Sequence, residues 1–311
     1  MQALHHFEDL LVLLQGDLDV FRYPVLDLAE RYGQRYREDA LSILSKLEEF
    51  AGAHGETLAD ALKFYRAHVA ETAEDRRLYQ GSRKEGVLPQ DLRFKRHYLF
   101  ALTLSTALNR SRYELFLDYR KVIGEHVRKG ISILEIGAGN CLDARFASSY
   151  GKVCAYEKNE LSQVWHGILN LEETVDLHIE EYRFDQPQAY DLVTMIELLE
   201  HLADPVAYLK KTSQVLRHGG LAYLTFAIRM PQIDHLYDFG SIDECRGLLD
   251  QAGLTILHEQ CMIDTFRPFE ESERWQLAKD PRQAVIYCCL ARRQEDEELG
   301  VLLSEFNEGV E

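Results

Sequence analysis

Residues 132–159 read SILEIGAGNCLDARFASSYGKVCAYEKN. An apolar run ends at Gly137-Ala138-Gly139, a helix-compatible stretch follows, and a second apolar run ends at Tyr156-Glu157. This is the pattern of a buried strand, a sharp turn, a helix and the next parallel strand. Glycine lets the chain turn tightly and lets a ligand approach where a Cβ would obstruct it. The start of the following helix offers N–H groups with no partner inside the helix. Glu157 lies 20 residues beyond Gly137, a spacing that suits an acid accepting from the two hydroxyls of a ribose. The G-x-G-x-x-G fingerprint of dinucleotide sites is not met, because its sixth position is Leu142. Glu135, just ahead of the glycines, is a poor neighbour for a diphosphate and a good one for a cation.

Outward from this stretch, short apolar runs alternate with helical segments, which predicts parallel strands joined by helical crossovers. SILEI and KVCAYE are the first two strands, VDLHI the third, YDLVTMI the fourth and LAYLTFAI the fifth, with LTILHEQCMI and QAVIYCCLARR completing the sheet. Asp204 and Pro205 open a helix between the fourth and fifth strands, with Gly219 past its end; Gly253 stops another. Upstream, no strand alternation is found. Leu41, Leu44, Leu47 and Phe50, then Leu58, Leu62, Tyr65 and Val69, fall at helical spacing, with a capping pattern at Thr57 and Asp60. Further helical segments run from about Leu92 to Leu108 and through Tyr113, Phe116 and Val122, while the charged stretch 71–91 reads as a long loop. The expected organisation is a helical cap over 1–128, an α/β domain over 129–293 and an acidic tail over 294–311.

The chain of 311 residues has a net charge of −17, a field that disfavours nucleic acid and anionic membrane surfaces as partners. No apolar run approaches the length of a spanning helix, and the N-terminus lacks the basic stretch of a signal peptide. The 6 cysteines form no CxxC pair. They read as reduced core thiols of a cytoplasmic protein, and no metal is expected from them.

Two motifs together carry a family resemblance. LEIGAGN resembles the first motif of class I methyltransferases, which use S-adenosylmethionine, with Cys141 standing where the last glycine falls. AYDLVTMIELLEHLADPVAYL and RHGGLAYLTF resemble that family's fourth and fifth strands with their flanking turns. The likeness covers roughly residues 130–292. It implies a Rossmann-like, doubly wound, mostly parallel seven-stranded α/β sheet beneath the all-α cap, with S-adenosylmethionine as cofactor. By that resemblance Glu135 sits near the methionine amine, and Gly137, Ala138, Gly139 and Asn140 line the cofactor. Glu157 holds the ribose with Lys158 a further cofactor contact, Glu180 or Glu181 accepts from the adenine amine, and Ile196 and Glu197 face the cofactor from the second side.

The acceptor site is expected in RMPQIDHLYDFGS after the fifth strand. Asp234, His235 and Tyr237 are its polar candidates, Arg229 a clamp for a carboxylate, and Tyr113 and Tyr119 aromatic contacts from the cap. His201, His235, Asp234 and Glu197 are the candidate bases for an acceptor that must lose a proton. A large cap suits a small enclosed substrate. Methyl transfer to an amino-acid-like or secondary-metabolite substrate is the first expectation. Attack at the methionine side chain, by cyclisation to azetidine-2-carboxylate or by aminocarboxypropyl transfer, is the second, and a non-catalytic binding protein the third. Oligomeric state is not legible.

Overall fold

The structure is a computed structural model and describes residues 6–78, 92–232, 234–265 and 269–294. Helices dominate the described residues up to His126: α1 (Phe7–Leu13), α2 (Arg22–Ala53), α3 (Leu58–Leu78), α4 (Leu92–Leu108) and α5 (Arg110–His126). α2 kinks at Gly33, whose φ of 58° is left-handed. The start of α3 is closed reciprocally: the Asp60 N–H donates to Thr57 Oγ1 and the Thr57 N–H to Asp60 Oδ2, as the sequence pattern predicts. α3 continues to Leu78 through the first part of the stretch expected to be loop. Alanine, glutamate and arginine there sustain a helix, and no glycine or proline interrupts it. Residues 79–91, and the acidic tail from 295, lie outside the described residues.

The sheet contains β1 (Ile131–Ile136), β2 (Gly151–Tyr156), β3 (Val175–His178), β4 (Tyr190–Met195), β5 (Leu216–Ile228), β6 (Leu254–Ile263) and β7 (Val285–Arg293). Its order is β3-β2-β1-β4-β5-β7-β6. β7 runs antiparallel to β5 and β6, and the remaining pairs are parallel. The expected α/β fold is therefore present. One local expectation is corrected: Gly219 does not end the preceding helix. That helix, α8 (Pro205–Val215), runs directly into β5, and Gly219 with its φ of 70° sits in an irregularity of the strand. Asp204 does cap α8, accepting from the Ala207 N–H at 2.9 Å.

Alternate residues of each strand feed two cores. Ile133, Val153, Leu192 and Tyr223 face a core built from the N-terminal helices, α6 (Leu142–Ala147) and α7 (Ser162–Ile168). Phe50 of α2 stacks on Trp165 of α7 at 5.0 Å, a contact worth about 0.5–1.5 kcal/mol beyond its burial. Leu134, Val193 and Leu224 face α8 and α9 (Ile242–Gln251). The N-terminal helices thus share one continuous apolar core with the sheet.

Candidate active site

At the carboxyl ends of β1 and β2 the chain reverses tightly. The Gly137 and Ala138 N–H groups donate to the Tyr156 carbonyl at 2.8 and 3.2 Å. Gly137, Gly139 and Cys141 have φ of 81°, 50° and 57°, a left-handed run that only the glycines adopt without strain. Glu157 closes the turn, accepting from the N–H groups of Gly139 (2.9 Å), Lys158 (2.7 Å) and Asn159 (2.9 Å). Glu135 is 4% exposed, and its Oε2 has no hydrogen-bond partner. Burial and the nearby charge of Asp143 push its carboxyl well above the ordinary range. The Tyr119 hydroxyl, also unpartnered and buried, feels the same charge.

Beyond β4 the backbone turns at Glu197, whose φ is 52°. Its N–H donates to Thr225 Oγ1 at 2.6 Å, and one carboxylate oxygen accepts from that hydroxyl at 3.2 Å. The other pairs with Arg112 of α5. Glu200 is 1% exposed with Oε2 unpartnered, and burial and the charge of Glu197 push its carboxyl up to about 8. His201 donates from Nδ1 to the Asp234 carbonyl at 3.1 Å in the tautomer that contact requires, leaving Nε2 4.0 Å from Glu200 Oε1. Burial alone would lower the His201 pKa, but the charges of Asp234 and Glu200 outweigh it and raise it. The His201 and His235 rings meet edge to face at 4.9 Å.

These groups form one wall of a cavity of about 310 Å³. Phe64, Tyr65 and Val69 of α3 and His97, Tyr98 and Leu102 of α4 form the other. The structure therefore brings His201, His235, Asp234 and Glu197 together around one space. Glu200, His201 and His235 also place a ligand atom each within 4.8 Å of one another, a geometry open to a divalent ion that cysteine spacing could not reveal.

The remaining expected residues are not part of this cavity's lining. Arg229 donates to the carbonyls of Gln283, Gly240 and Ala278 at 2.8, 2.9 and 2.7 Å, so its guanidinium ties two loops together and is not a carboxylate clamp. The Tyr113 hydroxyl donates to Asp39, and its ring packs among Tyr32, Tyr36 and Phe116 inside the helical layer. Tyr119 is buried against Tyr223 and Phe146, away from the cavity lining. Tyr237 reaches Glu244 of α9 at 3.1 Å. Glu181 pairs with Lys158 at 2.7 Å and accepts from Tyr208, and Glu180 pairs with Arg183 at 3.3 Å, with both glutamates exposed. Tyr182, next to them, is 3% exposed and packed among Tyr156, Phe184 and Tyr190.

Sequence reading missed Arg112, Tyr98 and Leu102. Each lies on an N-terminal helix, where an arginine reads as surface and an aromatic or leucine as core, and only the fold shows what each faces.

Residues 108–259 match a family described as "Methyltransferase domain", beginning about twenty residues before the expected boundary. The ubiquinone biosynthesis O-methyltransferase of Xanthomonas campestris is 30% identical over 122 residues, 37% of this chain and 50% of that protein. The protein of the same name from Photorhabdus laumondii is 40% identical over 55 residues, 18% and 21% of the two chains. The chain thus spans half or less of these relatives' length. A solved putative methyltransferase from Bacillus halodurans overlays 58% of this chain and 100% of its own at a TM-score of 0.47 and 15% identity. The match to a methyltransferase domain spans 152 of the 311 residues, just under half of the chain, and the strand order and the glycine turn agree with it.

Proposed function

We propose that the protein is an S-adenosylmethionine-dependent methyltransferase acting on a small molecule held between α3, α4 and the turns after β4 and β5. The observation that carries the reading is the adjacency of two features. A glycine turn flanked by Glu135 and Glu157 lies at the carboxyl ends of β1 and β2, and a cavity of about 310 Å³ walled by ionisable groups lies beside it.

The sheet side of the crevice fits the cofactor. Glu135 offers an unpartnered buried oxygen to an ammonium group, and Glu157 stands where ribose hydroxyls would reach it. Lys158 stays beside it, the Ile196 carbonyl serves the opposite side, and the loop of Glu180 and Glu181 is assigned the adenine edge. When bound, the cofactor supplies an activated methyl group, so the protein's task is orientation and water exclusion, worth several kcal/mol.

His201 is the base this geometry favours. Its Nδ1 is committed to the Asp234 carbonyl, which leaves Nε2 to receive a proton. His235 orients its ring edge to face, and Arg112 holds Glu197 in place. Tyr65 and Tyr98 offer flat faces to a planar or apolar substrate body. The names of the curated relatives support an oxygen acceptor.

The test is incubation of the full chain with S-adenosylmethionine and a panel of small phenols, amines and carboxylates, with the nucleoside product identified by mass spectrometry. S-adenosylhomocysteine together with a methylated acceptor is expected. Methylthioadenosine as the product would replace methyl transfer by attack at the methionine side chain, and binding without turnover would leave a non-catalytic protein.

A further inference from the structure

Helix α4 lies directly over the glycine turn. A Cβ built on Gly139 would fall 2.6 Å from Leu102 Cδ2. The space that this glycine leaves open is therefore taken by a leucine of the helical layer. Three further contacts hold α4 there. Asn140 Nδ2 donates to Thr103 Oγ1 at 2.9 Å, Asn159 Nδ2 donates to the Lys95 carbonyl at 2.9 Å, and Lys95 pairs with Glu160 at 2.7 Å. One turn before Leu102, Tyr98 lines the cavity, and its phenol is raised by burial and by the charges of Asp234 and Glu157. One face of α4 therefore reaches from the ribose acid to the base.

Under the cofactor reading, on which this inference rests, a nucleoside and the Leu102 side chain claim the same contact with Gly139. Two occupants of one space exclude each other, and the stability of the covered form subtracts from the observed affinity. We propose that Leu102 is the residue that closes the cofactor crevice, and that α4 withdraws it as the nucleoside enters. Leu102 then sets cofactor affinity and entry rate without contributing to the chemistry. Tyr98, on the same face, couples this movement to the substrate cavity.

The test uses the full chain, its Leu102→Ala and Leu102→Phe variants, and S-adenosylhomocysteine as the probe. Calorimetry gives affinity, stopped-flow mixing gives the association rate, and thermal melting confirms folding. Leu102→Ala is expected to bind about tenfold more tightly and to associate faster, because less must be displaced. Leu102→Phe is expected to bind about tenfold more weakly. Hydrogen exchange of residues 95–108 in the unaltered chain should change when the probe is added. If the unaltered chain binds the probe, while Leu102→Ala binds no better and exchange in α4 does not move, the inference is overturned and the cofactor reading stands. If neither the chain nor Leu102→Ala binds it, the cofactor reading falls and this inference with it.

Discussion

Replacing Arg112 by methionine tests how the cavity wall is held. Arg112 and Glu197 have side chains 18% and 10% exposed, and Glu200 beside them is buried with an unpartnered oxygen. Removing one partner of a buried ion pair costs about 3–5 kcal/mol, because the remaining charge stays desolvated. At roughly 2–4 °C per kcal/mol for a domain of this size, the melting temperature should fall by about 6–20 °C. The loss should also depend on pH. Glu200 is raised to about 8 by burial and by Glu197, and the charge of Arg112 opposes that rise. Without Arg112, the folded-state value climbs further. A carboxyl raised on folding stabilises fully below its unfolded value, about 4.3, and that contribution is lost as pH rises through the folded value. Parent and variant lose this contribution alike up to about pH 8, so the extra destabilisation should be constant from pH 5 to 8 and grow above pH 8. Urea unfolding at pH 6 and pH 9 measures it. Adding Glu197→Gln to Arg112→Met should restore most of the stability, since removing both charges is close to neutral. A loss under 1 kcal/mol that ignores pH, with no recovery in the double variant, would refute the argument.

The remaining predictions concern the crevice and its supports. Glu157→Ala should weaken S-adenosylhomocysteine binding by about 1–3 kcal/mol through lost hydrogen bonds, and an unchanged dissociation constant removes Glu157 from the site. Binding of the same compound should release protons, because an ammonium group favours the ionised form of Glu135, whose carboxyl is raised by burial. Affinity should then rise with pH toward neutrality, and calorimetric enthalpies independent of buffer would count against it. Arg229→Met should destabilise by roughly 1–3 kcal/mol, leaving three carbonyls without their donor. It should leave the substrate KM unchanged, and a large rise in KM would return Arg229 to the substrate site.

The class of fold and one edge of the candidate site were legible because they rest on local signals. Strand runs, helix caps and the Gly137–Gly139 turn are set by residues close in sequence, whose preferences follow from sterics and hydrogen bonding within a few positions. Glu135 and Glu157 belong to the same local frame, since one lies at the end of β1 and the other directly after β2, its parallel neighbour. The cavity wall was legible only in part: His201, Asp234 and His235 follow strand ends, where an open parallel sheet exposes its ligand-facing residues. Long-range packing decided the rest. Arg229 looks like a substrate clamp in sequence and is a brace, because the carbonyls it meets come from Gly240, Ala278 and Gln283. Tyr113 looks like a pocket aromatic and is core, because α2 brings Asp39 and Tyr36 against it. Arg112 and Leu102 carry no local signal. They gain their roles when α4 and α5 settle across the sheet edge, a consequence of burying one continuous apolar core.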